Sequence, residues 1–380
     1  MALDDAFRSR SLTAPLVEQI ARQVRRPLRF MEVCGTHTMS IFQHGIRSLL
    51  PPEITLLSGP GCPVCVTPAG HIDAFVEAAQ RPGVIVATFG DLIRVPGSAG
   101  SLATARTRGA RVEIVYSPMD ALGLAAAHPE QIVLFPGIGF ETTAPTLAAT
   151  VLAAAARGLD NFVLFPAAKR MPPVLSTLLA DPELHLDGLL CPGHVSAVIG
   201  SDAYRPFAES GTESGGLPCA VAGFEPADIL AGLLALVRQV NAGRPRVDNC
   251  YPRAVSAEGN PRALELIDRV FVPVDSEWRG LGKIAASGLA LRDAFRRFDA
   301  VDRLGLHVTP VPEPKGCRCG DMLKGRLQPP DCPLYARACT PLNPVGPCMV
   351  SGEGTCAAFY RYNRSSKQAS SSFSSTQASP

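Results

Sequence analysis

No long run of lysine or arginine occurs in this sequence, and its 36 basic residues face 34 acidic ones, for a net charge of +2. A nucleic-acid footprint is therefore not expected. Nor does any stretch of eighteen or more apolar residues run free of charges or breakers, so no membrane partner is expected. The opening MALDDAFRSRSL carries acids early and holds no apolar signal-peptide core, which points to a soluble cytoplasmic protein. In such a reducing compartment permanent disulfides are rare. The 12 cysteines then call for metal ligation or redox chemistry.

What is present is a repeated α/β sentence. At 380 residues the chain exceeds one ordinary domain, and two or three are expected. From about residue 29 to 240, short apolar runs alternate with turns and helix-like stretches. The runs are Leu28 to Val33, Ile54 to Leu57, Val84 to Phe89, Val112 to Tyr116, Ile132 to Phe135, Phe162 to Phe165, Gly188 to Leu190 and Cys219 to Ala222. Helical spacing marks Ala69 to Gln80, Ala144 to Arg157 and Pro226 to Val240. This alternation predicts an α/β fold of two parallel-sheet lobes facing a cleft, and the cysteine-rich C-terminal segment is expected to form a further, iron–sulfur domain. The expected division is 1–125 for the first lobe, 126–240 for the second, 241–364 for a mixed helical and cysteine-rich domain, and 365–380 for a disordered serine-rich tail.

Ligands of parallel sheets bind where chain leaves strand for helix. The unusual residues fall at those turns: Cys34-Gly35-Thr36-His37, Gly59-Pro60-Gly61-Cys62-Pro63-Val64-Cys65, Gly90-Asp91, Gly137 to Thr142, Cys191-Pro192-Gly193-His194 and Gly223-Phe224-Glu225-Pro226. A thiol at a helix start gains donors and the positive dipole end, so Cys34, Cys62 and Cys65 are expected to have lowered pKa values. Cys62 and Cys65 suit disulfide cycling, yet CxxC is also half of many zinc sites; no second pair follows nearby. His37, three residues after Cys34, raises the prospect of a metal or proton-transfer site, whereas a loop histidine such as His194 is more often a hydrogen-bonding group. The run Gly137-x-Gly139 lacks the third glycine of a dinucleotide fingerprint, with Thr142 in its place, and no P-loop lysine follows. Glu141 and Glu225 read as helix-start acids.

After about residue 245 the periodicity weakens; helices are expected at Pro261 to Val270 and Ser287 to Phe298. Then six cysteines fall in CRCGDMLKGRLQPPDCPLYARACTPLNPVGPCMVSGEGTC. Among so few apolar residues, a bound inorganic centre must supply much of the order. Four thiolates around iron and sulfide fit this segment better than paired zinc knuckles, whose spacing is shorter.

CGTH at 34, GPGCPVC at 59, PGHVS at 192, GFEPADIL at 223, and CRCGDMLKG through PLNPVGPCMVSGEGTC resemble the HypD family of hydrogenase maturation proteins, over roughly residues 28 to 362. The resemblance implies a scaffold and redox protein on which the Fe(CN)2CO unit of [NiFe]-hydrogenase is assembled. Its implied partners are a HypC-type chaperone and a HypE-type cyanide donor, with this chain a monomer inside a hetero-complex. It also implies two α/β lobes and a [4Fe-4S] domain. The family spacing C-x14-C-x6-C-x16-C falls on Cys317, Cys332, Cys339 and Cys356 as ligands of the [4Fe-4S] cluster. Cys34 would hold the iron jointly with a cysteine of the chaperone, His37 beside it, and Cys62 and Cys65 would be the redox-active pair. Cys191, Cys219, Cys250, Cys319 and Cys348 receive no role. The rival expectation is an independent thiol–disulfide oxidoreductase or iron–sulfur enzyme acting on a small substrate.

Overall fold

The computed structural model describes residues 6–210 and 215–363. The expected serine-rich tail lies outside them. In chain order the strands are β1 (Leu28–Glu32), β2 (Ile54–Ser58), β3 (Val84–Thr88), β4 (Arg111–Ile114), β5 (Ile132–Gly139), β6 (Phe162–Ala168), β7 (Gly188–Pro192), β8 (Cys219–Ala222), β9 (Val247–Asn249), β10 (Phe271–Trp278) and β11 (Gly282–Leu291). They build three sheets. One is parallel in the order β2-β1-β7-β8-β9, the second parallel in the order β4-β3-β5-β6, and the third is the antiparallel hairpin β10-β11.

Alternation along a strand sends successive side chains to opposite faces, and each parallel sheet is apolar on both. On β1, Leu28 and Phe30 join Ile20, Ile41 and Leu230 on one face, while Met31 packs with Cys62, Cys65 and Met322 on the other. On β3, Ile85 and Ala87 face Phe135 and Leu147, and Val84 and Val86 face Phe75 and Phe165. Phe30, Phe75, Phe135, Phe162 and Phe165 are essentially inaccessible, each burial worth roughly 2–3 kcal/mol. The helices follow the expected bounds closely, at Ala69–Gln80, Ala144–Arg157, Pro226–Ala242 and Pro261–Val270.

Two expectations need correction. A cut at residue 126 would part β3 and β4 from their partners β5 and β6, and would group them with β1 and β2, whose sheet is completed by β7 to β9. The chain starts one sheet, builds the whole of the other, and returns. Second, Ser287 to Phe298 is not a helix: it continues β11 to Leu291 and ends in a 3-10 turn, Asp293–Phe298. Pairing with β10, with Val272 opposite Ala290, overrides the helix-like spacing of Leu289, Phe295 and Phe298. Among the described residues no helix is long and apolar enough to cross a membrane.

Each parallel sheet reverses its strand order once, between β1 and β7 in the first and between β3 and β5 in the second. Loops leaving such neighbours diverge and open a crevice at the carboxyl ends. Cys34 and His194 follow β1 and β7, and Asp91 and Glu141 follow β3 and β5. The cysteine-rich segment reaches both edges: Glu353 Oε1 accepts from the Thr36 hydroxyl at 2.6 Å, and Ser351 Oγ lies 3.1 Å from Asp91 Oδ2.

Candidate thiol and metal site

Cys34 caps the helix Gly35–Gln43 in extended conformation and is buried. The loop after β2 presses against its backbone. A Cβ at Gly61 would stand 2.3 Å from Cys34 N and 2.4 Å from its Cα, so only glycine permits this approach. Gly35 N–H donates to Gly61 O at 3.0 Å. The backbone N–H groups of His37 and Thr36 point at the thiol, as a helix start predicts, yet the expected lowered pKa is not found. Burial outweighs those donors and pushes Cys34 up to about 12, with the Glu353 and Glu32 carboxyls acting in the same direction.

Glu32, the last residue of β1, is itself buried beneath the thiol. Its Oε2 accepts from Cys34 N–H at 3.2 Å and its Oε1 from the Thr38 hydroxyl at 2.5 Å. Desolvation raises it to about 7 against those donors and Ser58. His37 is fully buried; its Nε2 lies 2.9 Å from Gly223 O and 3.3 Å from Ala222 O. Those acceptors require the proton on Nε2, which leaves Nδ1 as an unprotonated, buried nitrogen without a hydrogen-bond partner. Burial lowers His37 to about 4, so the ring is neutral. Phe224 stacks on both His37, at 5.0 Å between ring centres, and His194, at 3.8 Å. CGTH, PGHVS and GFEP thus meet around one aromatic ring. Glu225 turns away to a bidentate pair with Arg8, and Glu141 Oε1 accepts from Met171 N–H at 2.8 Å.

Cys62 caps the short helix Pro63–Val66, and the Cys62 and Cys65 sulfurs lie 2.7 Å apart. Burial raises the Cys65 thiol, with Cys348 and Cys62 adding to the shift, again opposite to the helix-start expectation. The neighbour is the residue no motif had assigned. Cys348 lies among these thiols, and the neighbouring Cys319 and Cys65 thiols hold its pKa down. Cys319 in turn neighbours Cys317. A continuous row of sulfurs therefore runs Cys62, Cys65, Cys348, Cys319, Cys317. Gly346 makes room for its far end, since a Cβ there would lie 2.6 Å from Cys319 Sγ and 2.8 Å from Cys317 Sγ.

Cys317, Cys332, Cys339 and Cys356, the four expected ligands, line one cavity together with a fifth cysteine, Cys319, and with Arg318, Met322, Leu334, Tyr335 and Met349. Val345 N–H donates to Cys339 Sγ at 3.4 Å. Among the described residues no three Cys, His, Asp or Glu side chains converge tightly enough to hold a single metal ion. The four thiols ring a space rather than a point. Cys191 and Cys219 lie on the adjacent strands β7 and β8 inside the core, their thiols donating to Leu189 O and Leu217 O, and Cys250 stands apart just after β9.

Sequence reasoning missed Glu32, Cys348 and Cys319. A charged residue at the end of an otherwise apolar strand was the available signal for Glu32; for the two cysteines there was none, because their partners are distant in the chain.

Fold and site together define a thiol-based α/β protein with one buried cysteine at a sheet switch point, a CxxC pair beside it and a cysteine-lined cavity behind. Comparison with known proteins narrows the class. The chain belongs to the HypD family, whose model, described as hydrogenase formation hypA family, matches residues 11–363. It is 47% identical over 369 residues to the hydrogenase maturation factor HypD of Azotobacter vinelandii, covering 95% of this chain and 96% of that one. To the factor of the same name from Escherichia coli it is 46% identical over 382 residues, 97% of this chain and the whole of the other. That of Rhodobacter capsulatus is 45% identical over 354 residues, 92% and 93% of the two chains.

Proposed function

We propose that this protein matures [NiFe]-hydrogenase as the scaffold on which an Fe(CN)2CO unit is built, working with a HypC-type chaperone and a HypE-type cyanide donor. The observation that carries this reading is the position of the 59–65 loop, whose Gly61 lies on the Cys34 backbone and whose Cys65 turn packs against the turn of Cys348. One loop joins the candidate iron ligand to the cysteine-rich segment.

The iron unit is cargo. Cys34 supplies a soft thiolate for it. A thiol raised to about 12 stays protonated until a cation arrives, so metal binding and proton release are coupled there. His37 Nδ1 offers a neutral lone pair in the same turn. Burial keeps water from the site.

Cys62 and Cys65 would give up two electrons and two protons on closing to a disulfide. Cys348, whose pKa the neighbouring Cys319 thiol lowers, is placed to attack that disulfide at Cys65, and Cys319 to resolve the mixed disulfide. The pair returns to dithiol while Cys348 and Cys319 become bonded, so atoms and electrons balance. Cys317, Cys332, Cys339 and Cys356 fit a [4Fe-4S] cluster because they surround a cavity with apolar walls. Bound there, the cluster would supply the single electrons that reduce the Cys319–Cys348 disulfide.

The test is an infrared spectrum of protein purified without oxygen after co-expression with both partners, beside a Cys34→Ala variant. Cyanide and CO stretching bands that vanish in the variant are expected; no bands in iron-replete wild type would sink the scaffold reading.

A further inference from the structure

We propose that Glu32 is a positioning residue that fixes the direction in which Cys34 presents its sulfur. The clamp itself is a matter of hydrogen bonds in the metal-free chain; only its consequence for iron rests on the scaffold reading above.

Glu32 ends β1 two residues before Cys34, and its two carboxyl oxygens divide their work. Oε2 takes the Cys34 N–H at 3.2 Å, and Oε1 takes the Thr38 hydroxyl, one helical turn further on, at 2.5 Å. The strand end, the cap residue and the first turn of the helix Gly35–Gln43 are thereby tied into one unit. Thr38 N–H closes the turn on Cys34 O at 3.0 Å. From the opposite side Gly61 blocks retreat of the Cys34 backbone, since even a methyl group would not fit between them. With the backbone held on both sides, the Sγ position reduces to one torsion.

An acid is a costly way to fill this place. Glu32 is 1% exposed, and a buried carboxyl forfeits several kilocalories of hydration unless partners repay it. Ser58 faces it across the β1–β2 register, and Arg47 is the cation turned towards it, its guanidinium resting over Phe42 at 4.6 Å. Arg47 Nε is buried and makes no hydrogen bond, so this arginine contributes charge rather than a geometric tie. An aliphatic residue would satisfy the core here at less cost. Only a side chain with two acceptors, or with an acceptor and a donor, can hold Cys34 and Thr38 together.

The last distinction sets the experiment. Glutamine at 32 can accept from Cys34 N–H through its oxygen and donate to Thr38 Oγ1 through its nitrogen; alanine can do neither. The full chain is compared as wild type, Glu32→Ala and Glu32→Gln, first without iron by amide hydrogen exchange across residues 33–40. Glu32→Ala is expected to exchange the Cys34 amide at least about tenfold faster, and Glu32→Gln to stay near wild type. Loaded with iron in the presence of both partners, Glu32→Ala should show broadened or doubled cyanide and CO bands, and Glu32→Gln a single set. Wild-type exchange and a single band set in Glu32→Ala would overturn the proposal, as would Glu32→Gln behaving like alanine. If Glu32→Ala fails to fold, Thr38→Val removes one arm of the clamp alone; unchanged exchange there would likewise overturn it. Absence of bands from wild type would refute the scaffold reading, while the exchange comparison still decides the role of Glu32.

Discussion

Cys65 and Cys348 come from distant stretches of the chain and lie together in the core, where each thiol shifts the pKa of the other. Each sits at a short helical turn led by proline, Pro63–Val66 and Pro347–Met349, and these turns pack together. The closeness of the two cysteines follows from the packing of these turns.

Cys348→Ser should therefore cut the row of sulfurs at its centre while sparing the four expected cluster ligands. Its oxygen can hydrogen-bond but cannot exchange with a disulfide. After oxidation of Cys62 and Cys65, re-reduction from a one-electron donor is expected to slow by at least about tenfold, with iron content unchanged. Thiol labelling against time measures it. Wild-type kinetics would show that electrons reach the pair by another route.

Gly346→Ala drives a methyl group onto both Cys317 and Cys319 sulfurs. Overpacking of this kind costs about 1–3 kcal/mol. Denaturant unfolding should register that loss, and iron and sulfide analysis should show reduced loading, because one displaced sulfur is an expected cluster ligand. Full loading would place the cluster on other residues.

How far the sequence reaches can be judged at particular residues. All eight apolar runs are strands, because a strand buried on both faces writes its own signature in Val, Ile, Leu and Phe. Which sheet each joins is not written locally: β2 and β3 are neighbours in the chain and lie in different sheets. The hairpin β10-β11 was invisible because buried and exposed residues do not alternate regularly along it and its register shifts between Val274 and Ser276. At the site, CGTH, CPVC and PGHVS were legible as turns. The direction of the Cys34 shift was not, because helix-start donors are visible in sequence and the burial that defeats them is a product of the whole fold.

Gly61→Ala tests the contact on which the site closes. With a Cβ 2.3 to 2.6 Å from three Cys34 backbone atoms, the 59–65 loop must move away. A loss of about 1–3 kcal/mol in stability is expected, together with faster alkylation of Cys34, a residue only 7% exposed in the wild type. Unchanged alkylation would mean that the loop relaxes without opening the turn.

Lys169 gives the pH prediction. It is buried at the end of β6, its Nζ donating to Ser276 Oγ at 2.9 Å and to Glu277 O, and lying 5.2 Å from the Trp278 ring centre. Desolvation lowers it to about 7 from an ordinary 10.5. Between those values the unfolded chain binds a proton that the folded chain does not, so stability rises with pH across that window and falls again as pH drops towards 7. The slope from this one group is at most about 1.4 kcal/mol per pH unit. Lys169→Met removes the titration and keeps the apolar contact with Trp278. Urea unfolding of both proteins at pH 7, 8 and 9 should show wild type gaining on the variant at each step. A constant difference would mean that Lys169 is charged in the core throughout, held by the Glu277 carbonyl and the Trp278 face.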